Sequence, residues 1–194
     1  AVFQEGYKDG FGADADHLKN IDDIELMLNA GYTMFTFDPG DHVDNNADDY
    51  ELEQLKNSVS LLDWNQLNDN LNSAKKRYLT NKIILNNELE LKVNEELVLR
   101  AYAKYGKAIL HINKMFHYLK GIAWNRHYEV EISVDETESV TSIFEHFFFL
   151  NELSRLGVKF VSLAPRFIGD FEKGIDYKGD LAILKDEYSK NNQV

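Results

Sequence analysis

The chain contains no cysteine, so it can build no disulfide framework, no zinc–thiolate centre and no cysteine nucleophile. That absence fits a reducing compartment, and a cytoplasmic location is the expectation. Only two prolines occur in 194 residues, and no proline-rich linker, internal repeat or low-complexity tract divides the sequence. Positive charge is scarce: 21 lysines and arginines stand against 33 acidic residues, a net charge of −12. Such a surface argues against nucleic acid and against anionic membranes as partners. A small anionic ligand stays compatible with it if one cleft is locally positive. No apolar run reaches the ~20 residues of a membrane span, and the first residues carry no signal-peptide pattern. Neither a P-loop nor a Rossmann fingerprint occurs, and Gly10-Phe11-Gly12 alone is too weak to indicate phosphate binding. The chain opens on Ala1-Val2-Phe3 rather than methionine, so it is expected to be processed or cut from a longer polypeptide.

What is present is an alternation of strand and helix. With 44% hydrophobic residues, the length supports one substantial core, and a single domain over 1–194 is expected. A short glycine-rich strand is expected around Tyr7 to Ala13. Asn20 caps a following helix whose Ile21, Ile24 and Leu28 share a face and whose end is marked by Gly31. Tyr32 to Phe37 reads as a strand buried on both faces. Leu97, Ala101, Tyr105, Ala108, Ile112, Met115 and Leu119 recur at helical spacing and predict one long helix. Tyr128 to Asp135 alternates apolar and polar side chains, the pattern of a strand. Ser142 and Glu145 form a capping box ahead of a helix stopped by Gly157, and Val158 to Leu163 reads as a fourth strand. Between Pro39 and Lys92 the pattern breaks into an insertion rich in Asn, Asp and Leu. Helices are expected there over Asp48 to Leu62 and Asp63 to Tyr78. Because the insertion leaves from a strand's carboxyl end, residues 39–92 are expected to cap the site. The predicted class is α/β: a partial (β/α) barrel of about four units.

Polar chemistry clusters where the predicted strands end, which is where such barrels build active sites. Asp14 to Lys19 (DADHLK) sets two carboxylates beside a histidine, a group able to hold a divalent cation and to move a proton. The alternative is that Asp14 and Asp16 cap the next turn and His17 is merely solvated. Glu131 sits mid-strand on the polar face, where a parallel barrel normally places valine or isoleucine, and a carboxylate there must be paired, protonated or bound to a cation. An edge strand with one wet face explains it equally well. Asp135 and Glu136, at that strand's end, are candidates for substrate hydroxyls. Asp38, Asp41 and His42 form a second carboxylate–imidazole cluster, and DPGDH is also ordinary turn chemistry. Arg166 is placed to pair with a carboxylate or to make a plain salt bridge. Asp170 and Glu172 are candidates for a further cation contact or for ordering their loop. His111, His117 and His146 fall within helical patterns and read as structural.

The blocks GFGADADHLKNIDDI, AGYTMFTFDPGDHVDN, YGKAILHINKMFHYLK, EISVDETESVTSIFEHFF and GVKFVSLAPRFIGDFEKGIDYKGDL, in that order, resemble successive blocks of the tagaturonate epimerase family. The resemblance implies a divalent-cation-dependent isomerase of hexuronate breakdown with a barrel-like fold, interconverting tagaturonate and fructuronate. It implies that Asp16 accepts a proton and that His17 is a cation ligand; beside it, the residues themselves point to Glu131 as the acid–base counterpart, Asp170 as a further cation contact, and Arg166 and Asp135 as contacts for a small anionic sugar acid. The family's members are longer at both ends, and a later histidine-bearing block falls beyond this sequence. A non-catalytic remnant that still binds sugar acid is therefore the second reading. The two sugar acids differ at the carbon beta to the ketone, whose hydrogen is not acidic, so simple enolisation does not interconvert them. A retro-aldol route with Asp16 and Glu131 exchanging protons is one solution; transient oxidation needs a hydride acceptor, for which no motif is present. Four strands leave two open sheet edges, and pairing with a second copy, or with the rest of a longer protein, is expected there.

Overall fold

Asn20 has extended backbone, and its side chain accepts a hydrogen bond from the Asp23 amide at 3.0 Å. It thereby opens α1 (Ile21–Ala30), and Gly31 closes it at φ 94°, a conformation only glycine adopts without strain. The computed structural model describes residues 4–10, 12–86, 89–171 and 174–194. Around α1 lie β1 (Asp14–Leu18) and β2 (Met34–Phe37). The chain then passes through two short 3-10 helices (Gly40–His42 and Asn45–Asp49), α2 (Leu52–Ser60), α3 (Leu71–Leu79) and the hairpin β3 (Ile83–Leu85) and β4 (Leu89–Leu91). It returns through α4 (Glu95–Ile122), β5 (Glu129–Val134), α5 (Ile143–Arg155), β6 (Ser162–Pro165) and α6 (Leu181–Asn191). The result is a mixed α/β structure: six α-helices among the described residues and a four-stranded sheet, ordered β1-β2-β5-β6, in which every pairing is parallel. None of the helices among the described residues is long and apolar enough to cross a membrane.

The two faces of the sheet differ in chemistry because alternate residues point opposite ways. Ala15, Phe35, Phe37, Val130, Ile132 and Val134 join Ile24 of α1, Ile112 of α4 and Phe149 of α5 in one buried apolar cluster. The other face carries Asp14, Thr36, Glu131 and Ser162, which hydrogen-bond to one another across the four strands. Both α2 and α3 pack on α4. A Cβ on Gly106, in the middle of α4, would lie 2.6 Å from Leu62 Cδ1, so the missing side chain is what lets the end of α2 close onto that helix.

Several boundaries differ from those expected. The first strand is Asp14–Leu18 rather than Tyr7 to Ala13, because Gly6 and Gly10 take left-handed backbone, with φ 61° and 83°, that a strand excludes. The second insertion helix begins only at Leu71, since Asp63 caps its own turn through Gln66 and Asn68 adopts φ 51°. Residues 158–161 approach the sheet, and strand β6 starts at Ser162. The β3–β4 hairpin and α6 were not expected from the sequence.

Candidate functional site

At the carboxyl end of β1 the register slips between Ala15 and Leu18, and His17 takes φ 52°. Left-handed backbone at a non-glycine residue is uncommon and concentrates at functional positions. Here it turns the His17 ring toward β2, setting Nδ1 3.3 Å from Asp38 Oδ2, while Nε2 lies 3.7 Å from Asp16 Oδ1. Asp38 follows β2 directly, its amide donating to Leu18 O at 2.9 Å. Asp38 is only 3% exposed; its carboxylate accepts from the Gly40 amide at 2.8 Å and faces Lys19 Nζ at 3.5 Å. Glu136, two residues past β5, completes the group. One ligand atom each from His17, Asp38 and Glu136 lie within 4.8 Å of one another. One imidazole nitrogen and two carboxylate oxygens suit a divalent cation of borderline or hard character.

The surroundings bear on His17. Burial alone pushes its pKa down, but the hydrogen bond to Asp38 and the charges of Asp16, Glu136 and Asp38 outweigh this, and the net direction is upward from 6.5. A ligating imidazole must be unprotonated, so proton and cation compete. Because the pKa is raised, the competition reaches a higher pH than for an ordinary histidine. Titrating the protein with Co2+ between about pH 5 and 8 should show affinity falling about tenfold per unit below the His17 pKa. Without cation the linkage has the opposite sense: the stabilisation from protonated His17 is complete below pH 6.5 and disappears as pH rises through the raised value.

Further down the polar face, Thr36 Oγ1 lies 2.6 Å from Asp14 Oδ2 and 3.3 Å from Glu131 Oε1. Ser162 donates to Glu131 Oε2. A half-buried carboxylate is thus held by hydroxyls from both neighbouring strands and kept in one orientation. At the ends of β5 and β6 a cavity of about 330 Å³ is lined by Asp135, Glu136, Pro165, Arg166, Phe167 and Phe171. Ser133 donates to Asp135, and Arg166 Nη1 donates to Asp135 O at 3.3 Å.

The structure therefore gathers Asp16 and His17 with Asp38 and Glu136, and Arg166 with Asp135. Asp170 is not one of the three converging residues; its amide donates to Lys178 O at 2.9 Å, in the loop that also bears Phe171. Glu172 lies outside the described residues. Asp38, grouped in the sequence with Asp41 and His42, lies beside His17, and Glu136, a candidate for a substrate hydroxyl, is the third residue of that group. His42 instead stacks on His111, ring centroids 3.9 Å apart, and His111 Nε2 lies 2.8 Å from Lys19 O, bracing the turn after β1. The available signal for Asp38 was its place as the first residue after a strand buried on both faces.

The sequence model of the tagaturonate epimerase family matches residues 1–194. The tagaturonate/fructuronate epimerase of Thermotoga maritima is 40% identical over 193 residues, covering 100% of this chain and 38% of that protein. Two crystal structures of the fructuronate-tagaturonate epimerase of Cohnella laeviribosi, one native and one with glycerol, superpose with TM-scores of 0.84 and 0.85 at 34% identity. Each covers 98% of this chain and 38% of the solved one. The chain thus spans well under half the length of these relatives. The ordered match, the parallel sheet and the shared fold lead to one conclusion: this chain belongs to the tagaturonate epimerase family.

Proposed function

We propose that the chain carries the cation and acid–base half of a hexuronate epimerase acting on tagaturonate and fructuronate. The observation that carries this reading is the convergence of His17, Asp38 and Glu136 within 4.8 Å at the carboxyl ends of three parallel strands. A divalent cation bound there supplies Lewis acidity toward the substrate's ketone oxygen. The sheet is read as part of a (β/α) barrel, its polar face turned to the interior. Closure takes further parallel strands against β1 and β6, from the same polypeptide or from a second copy.

In the proposed reaction Asp16 takes the proton from the hydroxyl on the carbon beta to the ketone. The bond between that carbon and its alpha neighbour breaks, the hydroxyl oxygen becoming an aldehyde and the electron pair passing to the ketone as an enolate. Re-addition to the opposite aldehyde face and return of the proton complete the inversion, so atoms and charge balance. Glu131, oriented by Thr36 and Ser162, exchanges the proton on the other face. Arg166 binds the substrate carboxylate at the cavity it lines with Glu136, Asp135 meets a hydroxyl, and the turns from Gly40 to Asp49 shield the mouth.

Incubating the purified protein with tagaturonate and Co2+, with fructuronate followed by NMR, is expected to show conversion that Glu131→Gln slows by about a hundredfold or more. An unslowed Glu131→Gln enzyme would remove that residue from the mechanism. Substrate-dependent shifts without conversion would instead support a sugar-acid-binding role.

A further inference from the structure

We propose that Lys104 is a positioning residue for Glu136, holding it at His17 and Asp38 through a buried clamp that joins α4, the Asn45–Asp49 turn and the loop after β5. The inference rests on reading Glu136 as a cation ligand. Lys104 is 1% exposed. Its Nζ lies 2.9 and 3.0 Å from the two Asp48 oxygens, 3.1 Å from Glu145 Oε1 and 2.7 Å from Ser139 Oγ. Three partners match the three hydrogens of an ammonium. Ser139 donates its own hydrogen to Asp48 Oδ2 at 2.6 Å, so the hydroxyl both accepts from Lys104 and donates to the shared carboxylate.

Glu136 itself is exposed, so its place is set by the backbone on either side of it. On one side is the end of β5, to whose Val134 carbonyl the buried Thr137 hydroxyl lies at 3.1 Å. On the other side Ser139 is held by Lys104, and the Glu138 amide donates to Asn45 Oδ1 at 3.3 Å. Burying an ammonium is costly unless it is paired. A methionine would fill the same space but leave Asp48, Glu145 and Ser139 without their common partner. Asn45 and Asp48 belong to the 39–92 insertion, which thereby gains a role at the site beyond covering it: it fixes the loop that presents Glu136.

Ser139→Ala tests the clamp gently, since Lys104 keeps both carboxylates. In a crystal structure of cation-free Ser139→Ala protein, the Glu136 carboxylate is expected to leave the 4.8 Å group. In Co2+ titrations the variant should bind about tenfold more weakly, with its melting temperature little changed, and Ser139→Thr should restore affinity. In a Glu136→Gln background Ser139→Ala should cause no further loss. An unmoved Glu136, or an equal loss in both backgrounds, would overturn the proposal. If the unmodified protein binds no Co2+, the cation reading fails by itself, and the crystal structure still decides whether the clamp positions Glu136.

Discussion

Asp38→Asn is expected to reduce the affinity for Co2+ by more than about a hundredfold, beyond the tenfold to hundredfold typical of residues that only orient a ligand. Asparagine has the same shape and its carbonyl oxygen can still accept the Gly40 amide that Asp38 Oδ1 accepts now. The other position becomes an amide nitrogen, which has no lone pair to donate, directed at His17 and at Lys19 Nζ, 3.3 and 3.5 Å away. Donor would then face donor, and the negative charge that draws these groups together is gone. The same substitution should lower the His17 pKa, because the Asp38 hydrogen bond is the leading contribution raising it. Calorimetric titration reads the first effect, and histidine NMR in cation-free protein reads the second. Unchanged affinity would mean that Asp38 is not a ligand, whatever its proximity to His17.

Which parts of this site the sequence revealed follows from how locally each part is specified. The long helix was legible because an apolar stripe repeated over seven positions has no other economical reading, and α4 spans Glu95–Ile122 as that stripe requires. That Glu131 must have partners was legible because one carboxylate interrupted a strand's expected chemistry, although its two hydroxyl partners come from strands 95 and 31 residues away. For Asp16 and His17, adjacent residues that would face opposite sides of a regular strand, the sequence offered only that a bend at the strand's end lets both point to one site; the register slip and the φ of 52° are that bend, and neither is written in the local pattern. Glu136 was read as a hydroxyl contact, and its approach to His17 and Asp38 was hidden because the loop that carries it is bonded to Asn45, Asp48 and Lys104, all distant in sequence. Glycines misled where they set turn geometry, as at Gly6 and Gly10, and informed where they ended helices, as at Gly31 and Gly157.

The largest loss of stability is expected from Glu152→Ala. Glu152 is fully buried in α5 and receives Arg77 Nη1 at 2.9 Å, Arg155 Nη2 at 2.7 Å and the Tyr78 hydroxyl at 2.6 Å. Arg77 and Tyr78 lie on α3, so this one carboxylate ties the insertion to the helical layer behind the sheet. Alanine would leave two guanidinium groups with Asp69 as their remaining carboxylate, 2.5 Å from Arg77 and 3.9 Å from Arg155. It would also deprive Tyr78 of its acceptor; burial, and then the nearby Glu152 charge, already push that hydroxyl's pKa far up, so it remains a donor at any working pH. Removing one member of a buried ionic group costs about 3–5 kcal/mol, which for a protein of this size corresponds to a fall in melting temperature of roughly 6–20 °C. Urea unfolding and thermal melts measure it directly. Glu152→Gln should lose less, because the amide oxygen still accepts from Tyr78 while the charge alone is removed. If both variants lost under about 1 kcal/mol, the range of a solvent-exposed pair, the arginines would have to be hydrated, and α3 would owe its place to the packing of Ala74 and Tyr78 in the apolar core rather than to this carboxylate.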